Sequence, residues 1–90
     1  MPKELKGRYI TRCLDREAGA GGLTYGNNYD ELQGALDEIG RDATDPEVTH
    51  QILVDTKANV VELVKGDSIE PFQQMLGRRC LGWRLGTVER

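Results

Sequence analysis

Two cysteines, one histidine, a glycine-rich stretch, adjacent carboxylate pairs and an arginine pair hold whatever chemistry this 90-residue chain could perform. Cys13 and Cys80 stand far apart and lack the C-x-x-C spacing of redox or metal motifs. Cys80 follows Arg78 and Arg79, and flanking guanidinium groups can lower a thiol pKa. It also falls on the apolar stripe of a helix, near the C-terminus, where the dipole disfavours a thiolate. Cysteine is among the most commonly buried residues, so both thiols are expected in the core. His50 is the only histidine, which leaves no nucleophile–base pair and no ligand set of zinc type. The acids fit no EF-hand loop. No catalytic residue, metal or cofactor is expected, and the chain reads as a non-enzyme.

Four of the eleven glycines lie between Asp15 and Asn28. A phosphate-binding loop would need a Lys after its last glycine, and none follows here. The dinucleotide fingerprint fails as well, because Thr24 stands where the third glycine belongs. The glycines are therefore read as turn formers. The pairs Asp30–Glu31 and Asp37–Glu38 are neighbours in sequence, so on a helix they splay apart rather than converge on one substrate. They are expected on a solvated acidic face that can dock a basic partner.

The strongest signal is the order of the charges. Residues 1–16 carry five basic groups against two acids, residues 17–70 twelve acids against Arg41, Lys57 and Lys65, and residues 71–90 four arginines against Glu89. A two-signed surface can steer a charged partner or bind its own copy. The net charge of −3 argues against nucleic acid as the main ligand. No apolar run approaches the roughly 20 residues needed to span a bilayer. The opening Met-Pro-Lys-Glu-Leu-Lys lacks an apolar signal region, so a cytoplasmic protein is expected.

These residues must be carried by a small number of elements. Residues 8–14 alternate as a strand, with Tyr9, Thr11 and Cys13 on one face. The glycines then form either a hairpin tip returning through Leu23-Thr24-Tyr25 or a long loop. Asn28 and Glu31 match a capping box, and Tyr29, Leu32, Ala35, Leu36, Ile39 and Ala43 form a helical stripe. Asp30, Glu31, Gln33, Asp37 and Glu38 fall on the remaining surface. Thr49 to Lys65 reads as a second hairpin turning at residues 55–59, with Val60 to Val64 a central strand. Ser68 and Pro71 open a last helix whose stripe is Ile69, Phe72, Leu76, Cys80 and Trp83.

The order predicts one α+β domain over residues 1–90: a small antiparallel sheet of three to four strands with two helices packed on one face. From Arg8 to Gly40, about a third of the chain, the order strand, turn, strand, helix is similar to the opening of small HicB-like antitoxin domains. That similarity lies in pattern, and no residue role or function is carried over from it. The expected function is a regulatory or adaptor module acting through protein–protein contact, with another protein or a second copy as partner. Asp30, Asp37 and Glu38 on the acidic face and Arg78, Arg79 and Arg84 in the basic patch are its expected contacts. The alternatives are a nucleic-acid binder using the C-terminal arginines and a small enzyme completed across a dimer seam.

Overall fold

The computed structural model describes residues 7–16, 24–76 and 84–90. In chain order the elements are β1 (Tyr9–Asp15), β2 (Asn28–Tyr29), α1 (Leu32–Ala43), β3 (Val48–Asp55) and β4 (Val60–Lys65). A 3-10 turn (Glu70–Phe72), a four-residue helical turn α2 (Gln73–Leu76) and β5 (Arg84–Leu85) follow. The five strands form one sheet in the order β2-β1-β3-β4-β5. Every pairing is antiparallel except β4 with β5, which is parallel.

The β3–β4 hairpin forms where alternation and turn formers place it. Asp55 closes it: its carboxylate accepts the amides of Lys57 at 3.0 Å and Ala58 at 3.2 Å. Asn59 leaves the turn at φ 58°, a left-handed conformation that asparagine tolerates better than most side chains. Arg8 donates to both Asp55 oxygens at 3.2 Å. Burial alone would raise the Asp55 carboxyl, but the guanidinium and the two turn amides outweigh it and hold the group below its ordinary range. The first strand pairs with residues 25–29, through a bridge from Cys13 to Tyr25 and through β2. The hairpin tip at Gly19 to Gly22 lies outside the described residues.

Both faces of the sheet are covered, and this overturns the expected architecture. Consecutive strand residues point to opposite faces, yet Ile52, Leu53 and Val54 are all fully buried, as Val60 and Val61 nearly are. One face packs Tyr9, Leu53, Val60 and Val88 against Ala35 and Ile39 of α1. The other packs Ile10, Leu14, Ile52, Val54 and Val61 against Phe72 and Leu76. Leu36 and Leu76 thus cover opposite faces. One long helix and a five-stranded mixed sheet replace the expected two helices on one face of a three- to four-stranded antiparallel sheet. The continuation of the last helix through Arg78, Arg79, Cys80 and Trp83 lies outside the described residues. Among the described residues no helix is long and apolar enough to cross a membrane.

The α1 boundary also differs. Asn28 and Tyr29 are recruited into β2 opposite Ile10 and Tyr9, so the helix starts at Leu32 with Glu31 as N-cap and no side-chain cap bond. Strand pairing overrides the capping-box signal. The C-terminal end of α1 is tied down by Lys65, whose ammonium donates to the carbonyls of Ala43 at 3.5 Å and Asp45 at 3.0 Å.

Candidate functional site

Polar residues gather at two depths around α1. The deeper group lies between α1 and the β1–β3 region of the sheet. Thr11 and Cys13 share the β1 face that meets the helix, as their alternation with Tyr9 requires. Glu38, one turn after Ala35, sits at the edge of the apolar stripe and turns inward with only 4% exposure. Its Oε2 accepts the Thr11 hydroxyl; its Oε1 accepts the Asn27 amide and, at 2.9 Å, the Tyr29 hydroxyl. Burial first, and the bond to Glu38 second, raise the Tyr29 phenol. The carboxylate therefore fastens β1, the return strand and α1 to one another. Its expected place on a solvated docking face is corrected: a carboxylate with three donors around it and 4% exposure is structural.

One turn further, the Cys13 thiol donates to Asp42 Oδ2 at 3.4 Å and accepts Gln51 Nε2 at 3.5 Å. Burial, reinforced by Asp42, pushes this thiol up to about 12. It stays protonated at neutral pH and is a poor nucleophile. Cys13 is thus the inert core thiol that its strand position predicts. Gln51 Oε1 beside it is buried with no hydrogen-bond partner among the described residues. Among the described residues no group of three or more His, Cys, Asp or Glu is arranged to hold a metal ion.

Above the buried group a shallow cleft of about 390 Å³ is lined by Tyr25, Gly26, Asn27, Glu38, Arg41 and Asp42. It separates the outer strand from the second half of α1. Gly26 permits the strand to lie this close, since a Cβ there would collide with the Thr11 carbonyl. Tyr25 is nearly half exposed and donates to Asp15 at 2.6 Å. That bond, with some burial, raises its phenol.

The shallower group is the outer surface of α1. Asp37 is exposed there, and Asp30 and Glu31 are exposed just before the helix, Glu31 as its N-cap. Asp37 accepts only Gln33, at 2.8 Å, and none of the three forms an ion pair among the described residues. Several cations are bonded within the fold. Arg8 pairs with Asp55, and Arg12 donates to the carbonyls of Thr11 and Asn27 and to Asn28 Oδ1. Arg16 reaches the Pro46 carbonyl at 3.4 Å, and Arg90 pairs with Glu62 at 3.0 Å. Arg41, Lys57 and Arg84 are exposed, and Asp55, Glu62 and Asp67 are bonded to Arg8, Arg90 and His50, so among the described residues both signs of charge are partly paired and partly open.

Of the residues singled out by sequence, Asp37 is exposed on α1, Asp30 is exposed ahead of the helix rather than in its first turn, and Arg84 is exposed on β5, the edge strand opposite β2. Arg78 and Arg79 lie outside the described residues. Sequence reasoning missed Thr11, Asn27, Tyr29, Asp42 and Gln51. The available signal was Thr11, a polar residue on an otherwise core-facing strand position, which asks for a polar partner from whatever covers it. Comparison of the chain with protein-family models, curated proteins and solved structures returns no match.

Proposed function

We propose that this chain is a small non-enzymatic regulatory or adaptor module of the cytoplasm that binds a basic segment of another protein on the outer face of α1. The observation that supports this most is the group of exposed acids between Asp30 and Asp37. Asp30, Glu31 and Asp37 are exposed and form no ion pair among the described residues. Arg8, Arg12, Arg16, Lys65 and Arg90 are drawn into bonds within the fold, and Arg41, in the last turn of α1, is the exposed cation nearest in sequence to these acids. A surface on which acids outnumber bases raises the encounter rate with a basic partner. Among the described residues Cys13 is a buried neutral thiol and Glu38 anchors three elements, so neither is offered to a substrate.

The test is an affinity pulldown from the native cells with nuclease treatment, comparing the natural chain with a D30N/E31Q/D37N variant. The reading expects a nuclease-resistant protein partner, rich in Lys or Arg at its contact, that the neutralised variant loses and that added salt weakens. Retention by the variant, or loss of the captured species on nuclease treatment, refutes it. Sedimentation at low and high salt separates a second copy of the chain from a different partner.

A further inference from the structure

The only histidine sits in a chain of hydrogen bonds whose proton count can be taken. Thr49 Oγ1 lies 3.1 Å from the Leu14 carbonyl, His50 Nδ1 lies 2.9 Å from Thr49 Oγ1, and His50 Nε2 lies 3.1 Å from Asp67 Oδ1. These three contacts link β1, β3 and the segment that leaves β4. Leu14 O and the Asp67 carboxylate can only accept. The Thr49 hydroxyl brings one hydrogen and a neutral imidazole one more, which leaves one of the three contacts without a hydrogen. An imidazolium brings two and completes the chain.

What the chain fastens gives the proton a consequence. Gly66 turns away from β4 at φ 107° with its α-carbon against the His50 ring, where a Cβ would come within 2.6 Å of Cδ2. Asp67 follows directly, then Ser68 and the 3-10 turn that delivers Phe72 and Leu76 onto the second face of the sheet. We propose that His50 is a pH-sensitive latch: in its protonated form it fastens the 66–72 connection to β3, and on losing the proton it loosens the cover of that face.

The surroundings leave Asp67 as the charge bonded to the ring among the described residues. Lys65, at the end of β4, sends its ammonium to the carbonyls of Ala43 and Asp45. From β1, Leu14 lies opposite His50 in the register, and Arg12, two residues earlier, sends its guanidinium to Asn27 and Asn28. The bond from His50 holds the Asp67 carboxyl below its ordinary range. Asp67 is therefore ionised throughout the interval near pH 6 to 7 where imidazoles ordinarily change charge.

The experiment is amide hydrogen exchange on the full chain, expressed as protection factors, at about pH 5.5 and about pH 8, on either side of the ordinary imidazole range. Protection at Asp67, Ile69, Glu70 and Phe72 is expected to be about three-fold greater at the lower pH, the scale of one exposed ion pair. The α-amino group also titrates near this range, so D67N and H50Q are measured in parallel; Asp67 is almost fully exposed, which leaves D67N free to fold. Both variants are expected to lose the pH dependence. Equal protection at the two pH values in the natural chain overturns the latch, as does a pH dependence that survives in D67N or H50Q.

Discussion

Glu38 and Asp37 are adjacent in sequence and opposite in role, which makes their comparison a sharp test of the packing described above. Replacing Glu38 with alanine removes the acceptor of the Thr11, Asn27 and Tyr29 donors. Asn27 is exposed and Tyr29 half-buried, so both can turn to water. Thr11 is fully buried and as a donor keeps only the longer contact to the Asn27 carbonyl at 3.3 Å, so the weakened buried donor costs about 1 kcal/mol. With the lost packing of a 4%-exposed side chain, the total is about 3 kcal/mol. At a urea slope of about 1.5 kcal/mol/M, the midpoint should fall by about 2 M. Asp37→Ala on the exposed surface should change stability by no more than about 0.5 kcal/mol. The assay is urea unfolding followed by circular dichroism, with Thr11→Val added to complete a double-mutant cycle. Removing the Thr11 hydroxyl together with Glu38 should recover about 1 kcal/mol relative to additivity. A Glu38→Ala midpoint within error of Asp37→Ala, or a strictly additive cycle, would refute the reasoning.

Other consequences follow from single contacts. Asp55 has a folded-state carboxyl held below its ordinary range, so its contribution is complete above the ordinary carboxylate value of about 4 and fades as pH falls through the lower folded value. Asp55→Asn should cost about 1–2 kcal/mol at pH 7 and flatten the acid limb of the stability curve, measured by urea midpoints between pH 2 and 7. Gly26→Ala should destabilise by about 1–3 kcal/mol, because its methyl meets the Thr11 carbonyl and forces the return strand off β1; thermal unfolding reads this directly. Val88 is 1% exposed and its amide donates to Glu62 Oε1 at 2.8 Å. Val88→Ala should therefore cost about 2 kcal/mol in the same unfolding assay, despite lying near the chain end. Cys13, with its thiol pushed up to about 12 and no exposed surface, should resist iodoacetamide at pH 8 in folded protein and react on unfolding, as mapped by mass spectrometry.

Much of the architecture can be read from the residues, and where it cannot the reason is physical. Alternation at Tyr9 to Leu14 and around residues 52–64 marks β1, β3 and β4, and the stripe through Ala35 and Ile39 marks α1. The adjacent apolar residues Val60 and Val61 also announce a strand buried on both faces. That signal fits the neighbours β3 and β5 at its sides, but it further requires covers above and below, which places α1 and Phe72 on opposite faces. The start of α1 is not local information, because Asn28 is taken by pairing with Ile10. β5 has two residues, too few to show a period. Of the candidate site, Asp37 is legible as an exposed helix acid, whereas Asp30, expected in the first turn, is exposed ahead of a helix that starts at Leu32. Glu38 is not legible, since whether a residue at the margin of a stripe turns in or out depends on Thr11, a partner 27 positions away.

The proposed function requires that the exposed carboxylates at and before α1 receive a basic partner. Amide chemical-shift mapping of the full chain with a lysine- and arginine-rich peptide as probe addresses it most directly. The account predicts shifts centred on Asp30, Glu31 and Asp37 that vanish in D30N/E31Q/D37N and shrink with salt. Shifts centred instead on Arg84 to Arg90, or the same α1 shifts in the neutralised variant, would contradict it.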